Sequence, residues 1–356
     1  MKQYNVEIFR RDFSLRSHTV VGDVRYSVDY LSPVLNSITV FNCEAEKGDY
    51  IRISNRNEEF FGIVRLVTSQ DRKTINISYA SFLSVFETSI LFNTDLQGTS
   101  TLETVLKNLI TGMYINNPDS AQNITGLTIQ TTSSTTGWGF NLKSDTEGKH
   151  HCIIDFYNVI ITRALEKYSV VIGVHPDVQA KTITLTIGKI QGDKTIEADL
   201  RNIISKNIVI KDTDKDINKL VVYDTADYST KRIYYLHSDY SYSMVDTDRV
   251  TPVVQEIHGL TAEEGETARS FAQVADSDAA NVFGSIEYNN LIELVMANDD
   301  ALVKPYEMEI GEILHVISKG TIYTSVLTGK TIAEQTQLTC GTIRLDLTKI
   351  LKRRYG

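Results

Sequence analysis

The chain has 356 residues, 42% hydrophobic and 23% charged, with a formal net charge of -9. That length predicts two or three domains of ordinary globular material. The acidic balance argues against a dedicated nucleic-acid binder, and no apolar run reaches the roughly 18 residues that would mark a membrane span.

The start, MKQYNVEIFRRDF, lacks the apolar stretch of a secretory signal, so synthesis and folding in a cytoplasm are expected. Tyr4, Val6 and Ile8 alternate with polar residues and predict a first strand. Val24, Tyr26, Val28 and Tyr30 continue the pattern, Pro33 breaks it, and Ile38 and Val40 resume it. From Gly48 to Phe86 the chain reads as three short strands. Ile51 and Ile53 alternate with Tyr50 and Arg52, Asn55-Arg56-Asn57 turns the chain into Phe60–Leu66, and Gln70–Lys73 turns it into Ile75, Ile77 and Tyr79. Five or six half-buried strands over residues 1–95 suit a small barrel.

The character changes near residue 96. Ser100-Thr101-Leu102-Glu103 has the form of a capping box, and Leu102, Val105, Leu106, Leu109, Ile110 and Met113 recur at helical spacing. The polar tract Thr131–Gly137 predicts an exposed loop. Its neighbour Trp138, the one tryptophan, is either a surface contact or a wedge into the core. Asp155 is a candidate N-cap for a second helix through Phe156, Val159, Ile160, Ala164 and Lys167. Strands Val170–Val174 and Thr182–Ile187 complete an expected α+β domain over residues 96–200.

From Ile203 the β signal returns at Ile208–Ile210, Lys219–Tyr223 and Arg232–His237. Thr261-Ala262-Glu263-Glu264 predicts a helix through Ala268, Phe271 and Ala275. The run Leu291–Met296 fits either strand or helix, and the turn Asn298-Asp299-Asp300 after it favours strand. Ile343–Leu351 is a closing strand or short helix before a basic end. Residues 201–356 therefore read as a second barrel domain with an inserted segment at about 240–290. The fold class is α+β, mainly β: two small related β-barrel domains with inserted α+β units.

The relation between the barrels rests on an echo. Laid without gaps over the first hairpin, Gly311-Glu312 falls on Gly48-Asp49. Leu314 and Val316 then fall on Ile51 and Ile53, Tyr323 on Phe60, and Val326-Leu327 on Ile63-Val64. A slip of one residue would invert every side chain, so a shared apolar phase predicts a shared face.

No nucleophile elbow, zinc-protease helix, Walker loop or dinucleotide fingerprint occurs. Cys43, Cys152 and Cys340 are too far apart for a disulfide framework or metal knuckle and read as small apolar fillers. Adjacent residues of a strand face opposite ways, so His150-His151-Cys152, even with His175, makes a poor metal site. Asp212-Thr213-Asp214-Lys215-Asp216 resembles the start of a calcium loop, but Tyr223 stands where the twelfth-position glutamate would be. The pairs Glu58-Glu59, Glu263-Glu264 and Asp299-Asp300 fall in turns or a helix's first turn. No catalytic residue, cofactor or metal is assigned, and Trp138 is the one candidate contact residue.

The hairpin Gly48-Asp49-Tyr50-Ile51-Arg52-Ile53 with Phe60-Phe61-Gly62-Ile63-Val64, and its echo Ile310–Leu314 with Thr324–Gly329, resembles the baseplate hub or tail-tip proteins of bacteriophages and prophages. The N-terminal hub region of siphophage tail-associated proteins is included in that family. The order of elements extends the resemblance over nearly the whole chain. It implies a structural rather than enzymatic protein at the virion tail tip: a homotrimer whose six barrels form a pseudo-sixfold ring that continues or closes the tail tube. DNA would pass through it without specific binding. The implied partners are the distal tail protein ring, the tape measure protein and receptor-binding or baseplate proteins. Many members carry a C-terminal cell-wall hydrolase; Gly356 follows directly on the second barrel, so no such domain is expected. The alternatives are a host-surface or carbohydrate-binding module and a cell-wall hydrolase.

Overall fold

Apolar–polar alternation in the sequence becomes alternation of burial along most strands of the structure, a computed structural model. It describes residues 3–341 apart from 70, 72, 94–99, 137, 139–150, 190, 201–202, 210–216, 238–240, 249–252, 263–268, 284–290 and 299–303. The expectations for Asp212–Asp216, Glu263-Glu264, Asp299-Asp300, His150 and Ile343–Leu351 lie outside these residues.

The first module holds β1 (Tyr4–Phe9), β2 (Leu15–Val21), β3 (Tyr26–Asp29), β4 (Asn36–Phe41), β5 (Tyr50–Ser54), β6 (Glu59–Ser69) and β7 (Thr74–Ser81). Six of them form an antiparallel sheet in the order β2-β1-β5-β6-β7-β4. Its two edges approach each other where Glu44 donates its N–H to Ser17 Oγ and Ser17 donates to Cys43 Sγ. Val6, Ile8, Ile51, Ile53, Phe60, Val64, Ile77 and Tyr79 fill the interior of this open barrel. The strand β2 escaped the sequence reading because its residues are only half-buried and show no apolar alternation.

The hairpin at Gly48 is not half-buried as expected. Phe60 through Val64 are all buried, because a second layer covers the outer face of β5 and β6. Tyr50, Phe61 and Ile63 belong to the core of the α+β unit, where rings run from Phe13 through Tyr50, Phe61 and Phe82 to Phe86 and Phe156.

That unit contains β8 (Ser89–Asn93), α1 (Leu102–Tyr114), β9 (Leu127–Thr131), β10 (His151–Asp155), α2 (Thr162–Tyr168), β11 (Val170–Asp177) and β12 (Thr182–Lys189). The apolar stripe of α1 is buried as expected, but its cap is Thr101, whose hydroxyl accepts the Thr104 N–H. Glu103 does not reach back. Its buried carboxylate accepts from the N–H and hydroxyl of Thr135 at 2.7 and 2.8 Å, and from the Ser133 hydroxyl, tying the tract after β9 to the helix. Asp155 caps the second helix, accepting the Asn158 N–H; its first turns, Phe156–Ile161, are π-helical.

The second module adds β13 (Asp193–Glu197), β14 (Ile203–Val209), β19 (Leu291–Ala297), β20 (Ile313–Ser318), β21 (Thr321–Ile332) and β22 (Gln335–Cys340), in the order β13-β20-β21-β22-β19-β14. Its core is built from Ile292, Leu294, Met296, Leu314, Val316, Leu327 and Leu338. Between β14 and β19 the chain forms a separate four-stranded sheet, β17-β16-β15-β18, from β15 (Lys219–Asp224), β16 (Lys231–Leu236), β17 (Tyr242–Ser243) and β18 (Gln255–Leu260). It packs on α3 (Phe271–Phe283).

Three details differ from the sequence reading. Asp193–Glu197, expected in the α+β domain, is an edge strand of the second sheet. The strands at 219–223 and 232–237, read as part of the second barrel, belong to the separate sheet. The helix expected from Thr261 begins at Phe271, where Ser270 Oγ accepts the Gln273 N–H and Gln273 Oε1 accepts the Ser270 N–H. This reciprocal box follows one that looked equally good in sequence.

Candidate assembly interface: two equivalent barrel modules

The two hairpins are equivalent atom group by atom group. Gly48 and Gly311 both adopt left-handed backbone, with φ of 94° and 96°, which a side chain at either position would strain. Gly48 N–H donates to Val64 O at 2.9 Å, and Gly311 N–H to Leu327 O at 2.8 Å. In return Val64 N–H donates to Asp49 O, and Leu327 N–H to Glu312 O. The acid after each glycine bends back on its own turn: Asp49 accepts the Glu46 N–H at 2.8 Å, Glu312 the Glu309 N–H at 2.9 Å. Each acid also meets a cation from a flanking strand, Arg16 with Asp49 at 2.7 Å and Lys194 with Glu312 at 3.3 Å.

The ladders keep the same register. Tyr50 faces Ile63 as Ile313 faces Val326, and Ile53 faces Phe60 as Val316 faces Tyr323. Both second strands carry a bulge at the same place, between Val64 and Leu66 and between Leu327 and Gly329. The shared unit is four strands in one chain order, β4-β5-β6-β7 and β19-β20-β21-β22, with β4 on β7 as β19 is on β22. The flanking strands differ in direction: β1 is antiparallel to β5, whereas β13 is parallel to β20.

The modules are joined by β3. Expected in the first barrel, it leaves that sheet and pairs antiparallel with Gly329–Ile332 of β21. Periodicity marks β3 as a strand but carries no information on which sheet receives it. The next residue, Tyr30, is 2% exposed and holds three units together. Its N–H donates to Thr328 O of the second module, its carbonyl accepts the Tyr157 hydroxyl, and its own hydroxyl accepts the Ile172 N–H of β11 at 2.9 Å. Burial pushes the Tyr30 phenol well above its ordinary range. No local signal in the sequence distinguishes Tyr30 from its neighbours.

Beside it lies a cleft of about 390 Å³ lined by Tyr26, Phe60, Ile172, Val174, Met308 and Lys330. Burial lowers the Lys330 amine to about 8, and the amine donates to Met308 O. Glu58 is buried and accepts the Tyr4 hydroxyl at 2.7 Å, while Glu59 pairs with Arg52. Both acids of this pair thus have structural partners.

Trp138 is not a surface contact. It is 1% exposed, sits in the α+β core, and donates its indole N–H to Ser100 O at 2.7 Å, so the wedge reading is the one the structure carries. The tract before it is not wholly exposed either, since Thr135 is buried on Glu103. His175 is exposed beside Thr186, and no group of three metal-ligating side chains occurs among the described residues.

No protein-family model and no curated protein sequence matches the chain. Solved structures do. A tail protein from Neisseria meningitidis MC58 aligns over 95% of this chain and 96% of its own, with a TM-score of 0.52 at 14% identity. The 43 kDa tail protein of prophage MuSo2 from Shewanella oneidensis aligns over 96% and 98%, with a TM-score of 0.54 at 12% identity. The chain has the fold of these phage tail proteins, as the resemblance in its hairpins implied.

Proposed function

We propose that the protein is a structural hub at the distal tip of a bacteriophage or prophage tail, acting as a ring of three copies. The observation that carries this reading is the repeated four-strand unit with its shared register, bulge and glycine turn. Three chains with two equivalent modules each present six similar walls around a pore, so a threefold assembly meets a sixfold tube without six identical chains. Closed symmetry of this kind needs one repeated surface, and duplication supplies it twice per chain. The tail-protein fold supports the location; the partners proposed there are the distal tail protein ring, the tape measure protein and receptor-binding or baseplate proteins.

The ring continues or closes the tail tube and passes DNA without holding it. The net charge of -9 favours that role, because like charges prevent adhesion to a polyanion. The protein works by shape and assembly rather than catalysis. Light scattering of the purified chain is expected to give three times the 40.0 kDa chain mass at concentrations that permit assembly. A stable dimer or hexamer would contradict the reading, as would a strongly basic inner wall.

A further inference from the structure

The two modules differ at one matching edge. In the second, the outer end of β21 is covered by β3: Lys330 faces Val28 and Ile332 faces Tyr26. Tyr30 N–H donates to Thr328 O within this same register, so strand alternation turns the main-chain groups of Lys330 and Ile332 toward β3 as well. The equivalent residues of the first module are Val67 and Ser69, at the outer end of β6.

Their direction follows independently. Asn42 N–H donates to Lys73 O, which turns Lys73, Ile75 and Ile77 toward β4 and leaves Asn76 and Ser78 to face β6. Those two residues stand opposite Thr68 and Leu66. The main-chain groups of Leu66 and Thr68 are therefore used by β7, and those of Val67 and Ser69 point away from the sheet. No strand pairs with them among the described residues.

Natural sheets guard such edges with lysine, proline or a cover. Leu66-Val67-Thr68-Ser69 has neither charge nor proline, and Leu66 is 53% exposed. By contrast, the outer edge of β11 is blocked by Pro176 and by the Tyr30 hydroxyl on Ile172.

We infer that the edge of β6 at Val67 and Ser69 receives an extended strand from a second copy of this chain, laid antiparallel as β3 lies on β21. The inference rests on the ring reading and specifies its contact. A ring of three two-module chains has six module-to-module joints. Three lie within chains and are made by β3, and three lie between chains, where the matching edge is open.

Amide hydrogen exchange on the full chain, resolved at Val67 and Ser69 and read alongside mass by light scattering, tests this. Exchange at both amides is expected to slow at least roughly tenfold on passing from monomer to trimer. Ser69→Pro removes an N–H that the monomer does not use. The proline also removes the exposed bond from the Ser69 hydroxyl to Asp71 O, so Ser69→Ala is the reference: relative to it, monomer unfolding is expected to be unchanged and the trimer population roughly tenfold lower. A trimer whose Val67 and Ser69 amides exchange as fast as the monomer's would overturn the strand contact and leave the ring standing. Slowing that needs a different tail protein would overturn the assignment to a second copy. A chain that never trimerises, alone or in tail particles, would overturn both.

Discussion

Tyr30 shows how much of this architecture passes through single side chains. Its hydroxyl is the partner of the Ile172 N–H, so Tyr30→Phe strands a buried donor while leaving the ring packed. The expected loss is about 1–3 kcal/mol by urea denaturation. An unchanged midpoint would mean that water satisfies Ile172 instead. Gly48 and Gly311 offer a matched pair: Gly48→Ala and Gly311→Ala should each cost about 1–2 kcal/mol, because both glycines are left-handed. Clearly unequal losses would show that the two turns are alike only in outline.

Glu103 adds a pH dependence. Burial alone would raise its pKa, but hydrogen bonds from Ser133 and Thr135 outweigh it and hold the carboxylate below the ordinary range. A depressed folded pKa contributes stability that is present above the unfolded value of about 4.3 and is lost as pH falls through the folded value. Glu103→Gln should therefore lower stability at pH 7 and flatten its decline on the acid side. A decline as steep as the parent's would assign the acid sensitivity to another carboxylate.

At the scale of elements, caps decide where helices begin. Ser270→Ala removes the hydroxyl that accepts the Gln273 N–H, leaving the residue-270 N–H on Gln273 Oε1, and is expected to cost about 1 kcal/mol, with faster amide exchange in the first turn of α3. No change would mean that packing of Phe271 and Ala275 alone sets the start. Local patterns made most strands legible: Ile38 with Val40 and Ile51 with Ile53 lie where alternation put them, and Leu291–Met296, open between strand and helix by its apolar run, is the strand that the turn after it favoured. The echo at Gly311 proved to be a shared hydrogen-bond pattern. What local pattern could not reveal is partner choice. β3 alternates like any first-barrel strand but is used by the second sheet, and Asp193–Glu197, expected in the α+β domain, is taken up by that same sheet, because neither pairing depends on residues nearby in sequence. Trp138 was ambiguous for a related reason: the core it enters is built from residues far away along the chain, as is the Ser100 carbonyl that accepts its indole N–H. The open edge at Val67 and Ser69 was invisible for the same cause, since it is defined by comparison with a strand arriving from elsewhere.

At the scale of the whole molecule, two equivalent walls in one chain make sense where a threefold object must match a sixfold one. The joint within a chain is built from β3 and Tyr30 and is covalently guaranteed, so it forms without loss of translational freedom. In the proposed ring, a joint between chains would have no such tether and is expected to set the concentration at which rings appear. Low-resolution electron-microscope averages of the assembled protein, viewed down its axis, test the duplication account most directly. They should show six similar lobes around a pore with true threefold symmetry, formed by three chains. A ring of six chains, or three lobes without the sixfold echo, would contradict it.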